Sequence, residues 1–420
     1  MKPKIITTLA TYTRAQFAAD LIAGMTVAMV AMPLSLAIAI ASGANPAKGL
    51  ITAIVGGFLI SLLGGSRVQI GGPTGAFIVV VSGVIAAHGY DGLIIATLLA
   101  GAILVVAGLL RVGNLISFVP EAVINGFTIG IAVIIAVSQL KDLLGLSAAN
   151  VPADFLEKIP ALWAARSTVN FASVAVGLGT IFLIVLFRRM APRLPGLVVA
   201  VALTSAVASV MVLPIDTIFS RFGALPTHLP VPAIPAISYS KLIELFPSAF
   251  VIAFLAGVES LLSAMVADRM IASSHRPNAE VLAQGFANIG SALFGGLPAT
   301  GAIARTATNV RAGGKTPVAG IVHAAIILIV MSVLGGLSGY LAMSALSGLL
   351  ILTAYNMSEP HKWRSYLAAP VEDRLLLLLT LVLTVIANLS LAIGVGVVIG
   401  LSLRLRERRT NPDEWDLPDR

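Results

Sequence analysis

Two stretches of this chain set the same residue types in the same order. Residues 64–77 read Gly-Gly-Ser-Arg-Val-Gln-Ile-Gly-Gly-Pro-Thr-Gly-Ala-Phe, and residues 295–303 read Gly-Gly-Leu-Pro-Ala-Thr-Gly-Ala-Ile. In each, an apolar run closes on Gly-Gly, a few extended residues pass around a proline, and Thr-Gly-Ala opens a new apolar run. Such residues suit the capture of a ligand rather than the making of bonds. A helix start carries unpaired backbone N–H groups and the positive end of the macrodipole, so it favours an anion. Proline there gives up a donor that would be orphaned anyway, and Gly75 and Gly301 let the backbone approach a ligand. The hydroxyls of Thr74 and Thr300 are placed to cap or donate. Residues 73–77 and 298–303 are therefore expected to form one anion site from two sides.

Two ionisable groups lie deep in apolar surroundings: Glu259 within FVIAFLAGV-E-SLLSAMVA, and Arg305 one turn into the second run, in TGAIA-R-TATN. A charge at the centre of a spanning helix costs about 2.5–3.5 kcal/mol on insertion scales, so both read as functional. Glu259 and Ser263 are four residues apart and share a helix face, as do Gly301 and Arg305. Arg305 is expected to complete a positive field for the anion, and Glu259 to take a proton or help hold Na+. The competing reading is a buried Glu259–Arg305 ion pair that only fixes packing. No cysteine is present, and His88, His228, His275, His323 and His361 have no ligand spacing, so no metal and no cofactor are expected. Walker A, HExxH and GxSxG sequences are absent, which leaves ATP hydrolysis and proteolysis without a motif. The chain is not read as an enzyme.

The elements that must position these residues are membrane helices. Of 420 residues 58% are hydrophobic and 11% charged, and the mean hydropathy of +0.98 belongs to a polytopic membrane protein. Apolar spans fall at 20–42, 47–64, 73–88, 91–111, 120–141, 170–188, 194–213, 244–267, 279–295, 301–311, 317–336, 339–356, 372–388 and 389–405. Those at 73–88 and 301–311 are too short to cross a core of ~30 Å. Non-helical backbone survives at that depth only when buried in protein or lining a cavity, and paired interrupted segments point to a transporter's binding site. Fourteen passes with the N-terminus inside put Arg67, Arg111, Arg188, Arg269, Arg276, Lys315 and the final arginines on one side, in keeping with the positive-inside rule. Both termini are then cytoplasmic, with tails at 1–19 and 406–420. The net charge of +8 is spread over loops and tails and reflects topology, not nucleic-acid binding.

The repeat extends backwards, because 48–65 (KGLITAIVGGFLISLLGG) and 279–296 (AEVLAQGFANIGSALFGG) align without a gap. Seven passes separate the copies, and an odd number inverts the second. The two broken helices would then enter from opposite sides and point their starts at each other. Gly126/Gly130 and Gly396/Gly400 have the small-xxx-small spacing of close helix packing. Asp268 and Arg269 fall where side chains snorkel, and Gln139 where helices hydrogen-bond to one another.

At this point the sequence resembles the SulP anion transporter family. The residues that carry the resemblance are DLIAGMTVAMVAMPLSLAIAIASG (20–43), GGPTGAFIVVV (71–81), VPEAVINGFTIG (119–130), GVESLLSAMVAD (257–268) and GLPATGAIARTATNVRAGGKTPVAG (296–320). The resemblance implies an all-α membrane domain of fourteen segments in two inverted repeats of seven, the uracil-permease-like fold, with short extended stretches before the third and tenth helices. It implies a core (20–111 and 244–336) moving against a gate (113–213 and 337–405) in elevator fashion within a transmembrane domain of 20–405, and a homodimer in the inner (plasma) membrane. The substrate site it implies comprises Pro73, Thr74, Gly75, Ala76 and Phe77 with Thr300, Gly301, Ala302, Ile303, Ala304 and Arg305, lined by Pro33, Leu34 and Ser35 of the first span. Glu259 matches the family's acidic position for cation coupling, and Ser263 its hydroxyl neighbour. The sequence departs from the family in three places. Leu34 stands where proton-coupled members often have Glu or Gln after the proline, which weakens that route. Bicarbonate carriers have Asp at 259 and Thr at 303 where this chain has Glu259 and Ile303, so a Na+ site has fewer oxygens. The family's usual STAS domain is expected to be missing, since the sequence ends at Arg420.

The expected function is secondary active transport of a small inorganic or organic anion (bicarbonate, sulfate, chloride or dicarboxylate) with H+ as coupling ion. Na+-coupled bicarbonate symport and a nucleobase permease remain alternatives within the architecture. An anion channel or a non-transporting membrane sensor remains from another class.

Overall fold

The apolar runs fold as helices whose ends are set by local capping. Thr13 and Gln16 form a reciprocal capping box, Asn45 caps a helix that starts with Pro46, and Asn170 and Ser238 cap two more. The structure, a computed structural model, describes residues 2–116, 120–148, 151–152, 154–191, 195–387, 395 and 398–399. Its main helices are α1 Lys4–Leu9, α2 Arg14–Ala41, α3 Pro46–Leu63, α4 Ile78–Leu109, α5 Glu121–Leu143, α6 Phe171–Met190, α7 Gly196–Val210, α8 Tyr239–Ile271, α9 Pro277–Leu293, α10 Ile303–Arg311, α11 Val318–Ser338, α12 Met343–Met357 and α13 Val371–Ile386. Among the described residues seven helices are long and apolar enough to cross a membrane. The expected span 389–405, apart from three of its residues, the expected tail 406–420 and the Gly396/Gly400 pair lie outside the described residues.

Two of these helices are cut short where the repeated phrase falls. Gly89 (φ 70°, ψ −179°) divides α4, leaving 78–88 as a piece about 16 Å long at 1.5 Å per residue. With nine residues, α10 is about 13 Å long. Ahead of them run two-residue strands, β1 Gly71–Gly72 and β2 Thr300–Gly301, paired antiparallel with Gly71 opposite Gly301 and Gly72 opposite Thr300. Gly72, at φ 148°, has the Arg305 guanidinium against it where a side chain would stand. Glycine is therefore required there on two counts, by backbone and by contact.

Extended backbone buried at this depth must find every partner inside the protein. A polar stripe on α9, made of Glu280, Gln284, Asn288 and Ser291 and wholly buried, supplies many of them. Glu280 Oε2 accepts from the N–H groups of Gly65 and Ser66 at 2.8 and 3.2 Å, and its Oε1 accepts from Ser260 and Gln284. Asn288 brackets Ala299, donating to its carbonyl and accepting from its N–H. Ser291 donates to the Leu297 carbonyl, while Thr52, which opens a π-helical turn in α3, accepts from the Leu297 N–H at 2.6 Å. The first break is served from the second half: Thr306 accepts from Ile70 N–H, Asn309 donates to the Val68 carbonyl, and Ala302 N–H donates to the Ile70 carbonyl.

Packing sorts the helices into two groups. One holds α2, α3, α4, α8, α9, α10 and α11, and the other α5, α6, α7, α12 and α13. In the second group Gly126 and Gly130 admit the backbone and side chains of Leu377 and Thr384 on α13, so this small-xxx-small pair serves packing within the chain. Gln139 of α5 accepts from Ser347 of α12 at 3.3 Å. Asp268 is held locally. Its carboxylate accepts from His275 N–H and lies 2.7 Å from His275 Nδ1, closing the turn after α8.

Candidate functional site

Strand pairing fixes how the two interrupted helices meet. Paired Cα atoms of antiparallel strands lie about 5 Å apart, so β1 and β2 bring the stretches ahead of the two helices together, and the chain leaves the pair in opposite directions to begin each helix. The first start consists of Thr74 in extended conformation (φ −123°, ψ 158°), a 3-10 turn over Gly75–Phe77, and then α4. The second consists of Ala302 (φ −105°, ψ 112°) and then α10. Neither has a side-chain cap, and the leading N–H groups of a helix have no intrahelical acceptor.

Of the two roles expected of the threonine hydroxyls, capping or donating, neither caps and both donate. Thr74 donates to Glu259 Oε2 at 2.8 Å, and Thr300 donates to the Ala256 carbonyl at 2.8 Å. The phrase also sits differently in the two copies. Thr74 directly precedes a helical turn, whereas Thr300 is a strand residue and α10 begins at Ile303. The pairing of the strands, not the wording of the repeat, decides where each helix begins.

Arg305 is 2% exposed, yet it forms no ion pair among the described residues. Its Nη2 donates to the Pro73 carbonyl at 2.8 Å and reaches Ser35 Oγ at 3.4 Å, so it ties α2, the first helix start and α10 together. Nε and Nη1 are buried without a hydrogen-bond partner. An unpaired buried guanidinium is costly, and an incoming anion is the partner that would relieve it. The expected alternative of a Glu259–Arg305 ion pair is not formed, because Glu259 is taken by Thr74. Ser263 also points elsewhere, sharing a hydrogen bond of 3.1 Å with Thr306 that fastens α10 to α8.

The remaining expected residues divide by exposure. Pro33, Ser35, Pro73, Gly75, Ala76, Phe77, Gly301 and Ala302 are buried, Leu34, Thr74 and Glu259 are half-buried, and Ile303 (42%) and Ala304 are exposed. Over Gly75 lie Met357 Sδ at 3.0 Å and Ile135 Cδ1 at 3.5 Å from where a Cβ would stand, so the second helix group covers the first helix start. A cavity of about 630 Å³ elsewhere, where Arg221 meets Asp142 and Asp216 at 2.7 Å each, is lined by none of these residues.

Sequence reasoning missed Gln69, Ser260, Glu280, Thr306 and Asp20. Gln69 Nε2 and Gln284 Nε2 both donate to Ser260, directly behind Gly301. Asp20 accepts from Lys315 and Thr316 N–H and from the Thr316 and Tyr12 hydroxyls, fixing the turn into α11. The readable signal was the spacing of residues 280, 284, 288 and 291, which keeps four polar side chains on one face of an apolar helix.

Residues 17–379 match the family model of the Sulfate permease family. The chain belongs to the sulfate permease family. It is 41% identical over 368 residues to the putative sulfate transporter YvdB of Bacillus subtilis, covering 87% of this chain and 69% of that protein. With the bicarbonate transporter BicA of Picosynechococcus it shares 31% identity over 341 residues, 79% of this chain and 60% of the relative. The fold matches the transmembrane domain of a cyanobacterium bicarbonate transporter BicA with a TM-score of 0.82 and 26% identity, covering 93% of this chain and 98% of that one. SLC26A9 matches in fold with a TM-score of 0.85 at 19% identity, over 96% of this chain and 68% of its own. This sulfate permease family member is a multi-pass integral membrane protein, and its relatives are named as transporters, not enzymes.

Proposed function

We propose that the chain is a secondary active transporter of small anions, sulfate or bicarbonate among them, working by alternating access. The observation that carries this reading is the pair of uncapped helix starts that leave the paired strands β1 and β2, with Arg305 reaching from the second to Pro73 at the first while its Nε and Nη1 stay without a partner. Amide dipoles and a guanidinium without an ion-pair partner make an anion site. In this reading Pro73 to Phe77, Ile303 to Arg305 and Pro33 to Ser35 surround the anion. The fourteen segments form two inverted repeats. The first helix group moves as a core against the second in an elevator motion within a plasma-membrane homodimer whose termini are both cytoplasmic.

Proton coupling through Glu259 is favoured by its partner. Thr74 donates to the Glu259 carboxylate and is also the residue just before the first helix start. A proton on Glu259 removes its negative charge and adds an O–H donor, and a proton placed on Oε2 reverses the hydrogen bond with the Thr74 hydroxyl, so the protonation state is felt at the anion site. A Na+ site would need more oxygens than this neighbourhood offers, since Ser263 is engaged with Thr306 and residue 303 is isoleucine. A nucleobase permease would want a carboxylate on α10, where the sequence IARTATNVR has none.

Uptake of radiolabelled sulfate, bicarbonate, chloride and dicarboxylates into proteoliposomes, with pH and Na+ gradients imposed separately, tests the reading. The expected result is saturable uptake and counterflow stimulated by an inward proton gradient, and Glu259→Gln keeps counterflow while losing the response to pH. Non-saturating flux would make the protein a channel, no flux a sensor, and stimulation by Na+ alone would transfer the coupling to that ion.

A further inference from the structure

Helix α1, only six residues long, is held in place by the turns that lead into the two halves of the repeat. Lys4 N–H donates to the Gly64 carbonyl and Lys4 Nζ to the Ser274 carbonyl, both at 2.8 Å, and Arg276 Nη1 donates to the Lys2 carbonyl at 2.8 Å. Arg276 N–H in turn donates to the Gly65 carbonyl at 3.0 Å, so the two turns and α1 are one unit. Ile6 (58% exposed) and Leu9 (49%) are bare, and so are Phe17, Leu21 and Ile22 at the start of α2. A short helix with bare apolar residues next to cations, joined to a spanning helix, sits at the headgroup level of a bilayer.

Beside α1, Lys4, Thr7, Thr8, Thr11, Arg67 and Ser273 line a pocket of about 180 Å³. A water molecule in the liquid takes up about 30 Å³, so a tetrahedral oxyanion fits with waters to spare. Among the described residues the Arg67 side chain has no hydrogen-bond partner, and its Nε is buried. No carboxylate lines the pocket. Asp268 is the nearest acid to act on Lys4, and its Oδ2 is committed to His275. Burial first, then the charges of Arg276 and Arg67, pull the Lys4 ammonium below the usual lysine range against the opposing pull of Asp268. Three cations are therefore crowded together with too little negative charge to balance them.

We propose that this pocket binds a phosphate group, with Lys4 Nζ and the Arg67 guanidinium as its principal donors and the hydroxyls of Thr11 and Ser273 completing the shell. Two sources share that chemistry: the headgroup of an anionic phospholipid and inorganic phosphate. A phosphate held there braces α1 against the turns 64–67 and 273–276, which precede β1 and α9. This inference does not rest on the transport reading.

The test is thermal melting of the purified full chain in uncharged detergent with phosphatidylglycerol, phosphatidylcholine or sodium phosphate added at matched ionic strength. Wild type is expected to be stabilised by phosphatidylglycerol and not by phosphatidylcholine, with apparent affinity falling about fivefold for each of Lys4→Gln and Arg67→Gln. Arg14→Gln, an exposed cation on α2, should behave as wild type. Ser273→Asp puts a carboxylate in the pocket while leaving the cations intact, and it should raise the melting point by itself and abolish the lipid response. Stabilisation by sodium phosphate at equal strength would assign the pocket to the free ion. If no phosphate source stabilises the protein, or if Arg67→Gln and Ser273→Asp respond like wild type, the proposal is wrong.

Discussion

A single methyl group at Gly301 should damage the site, and its cost can be worked out from the neighbours. A Cβ built there would overlap Gln69 Nε2 and come within 3.1 Å of Ser260 Oγ. Gln69 has little freedom to withdraw, being 3% exposed and donating to Ser260 at 2.6 Å. Relief requires breaking that bond, worth about 1 kcal/mol, and accepting the strain of overpacking as well, about 1–3 kcal/mol. Pushing β2 aside instead disturbs Ala302 N–H on the Ile70 carbonyl and displaces the start of α10. Gly301→Ala is therefore expected to lose about 2–4 kcal/mol of stability. If half of that falls on anion binding, KM for uptake rises about tenfold, since 1.4 kcal/mol is a factor of ten. Gln69→Ala supplies the control. Gln69 Oε1 has no partner, and Ser260 keeps Gln284 at 2.7 Å as donor and Glu280 at 2.8 Å as acceptor, so truncating Gln69 orphans little. The double variant should recover most of the loss, with a coupling of about 1–3 kcal/mol. Melting curves and uptake on the four proteins decide. A Gly301→Ala protein indistinguishable from wild type, or one that Gln69→Ala does not rescue, would refute the packing argument.

Three further outcomes follow from named contacts. Arg305→Lys keeps the charge but not the planar fork that binds Pro73 and leaves two donors facing inward; uptake should fall about tenfold or more, and full activity would show that charge alone suffices. Asp20→Ala orphans the N–H groups of Lys315 and Thr316 at the turn into α11, and unfolding in detergent should register a loss of about 2–4 kcal/mol. The Tyr12 phenol is pushed up to about 12 by burial and by Asp20, from an ordinary value of 10.0. Its contribution is thus intact below the unfolded value and is lost as pH rises through the folded one. A spectrophotometric titration should show one late tyrosine fewer in Tyr12→Phe than in wild type.

Helices were legible in the sequence because an apolar run bounded by Thr13, Asn45, Asn170 or Ser238 has one low-energy outcome. The interruptions were legible from Gly-Gly and proline occurring together within a few residues, whereas Pro33, Pro247 and Gly56–Gly57 alone are carried inside helices. The register of the site was not. Thr74 and Thr300 occupy the same place in the repeated phrase, but Thr74 lies beside Glu259 and Thr300 beneath Ala256. That difference is set by pairing Gly72 with Thr300 across more than two hundred residues, and no local spacing encodes it. Likewise Asp20 and Glu280 fell at the margins of apolar spans, where a carboxylate has an easy reading as the edge of the membrane. Both are instead buried acceptors for backbone in another part of the chain.

The way those acceptors are shared bears on how the site can move. Residues 297–299 are satisfied by Asn288, Ser291 and Thr52, residues 64–66 by Glu280, and residues 68–70 by Ala302, Thr306 and Asn309. Each interrupted stretch thus has partners in the other half of the chain. Sliding one helix start past the other would strand several buried N–H and carbonyl groups at about 1–3 kcal/mol each, whereas moving both together strands none. Contact across to the second helix group is different in kind: nearest to Gly75 that group presents Met357 and Ile135, two side chains without strong hydrogen-bonding groups. In the proposed alternating-access cycle the plane of slip runs between the two groups, with the proposed anion site carried by the first.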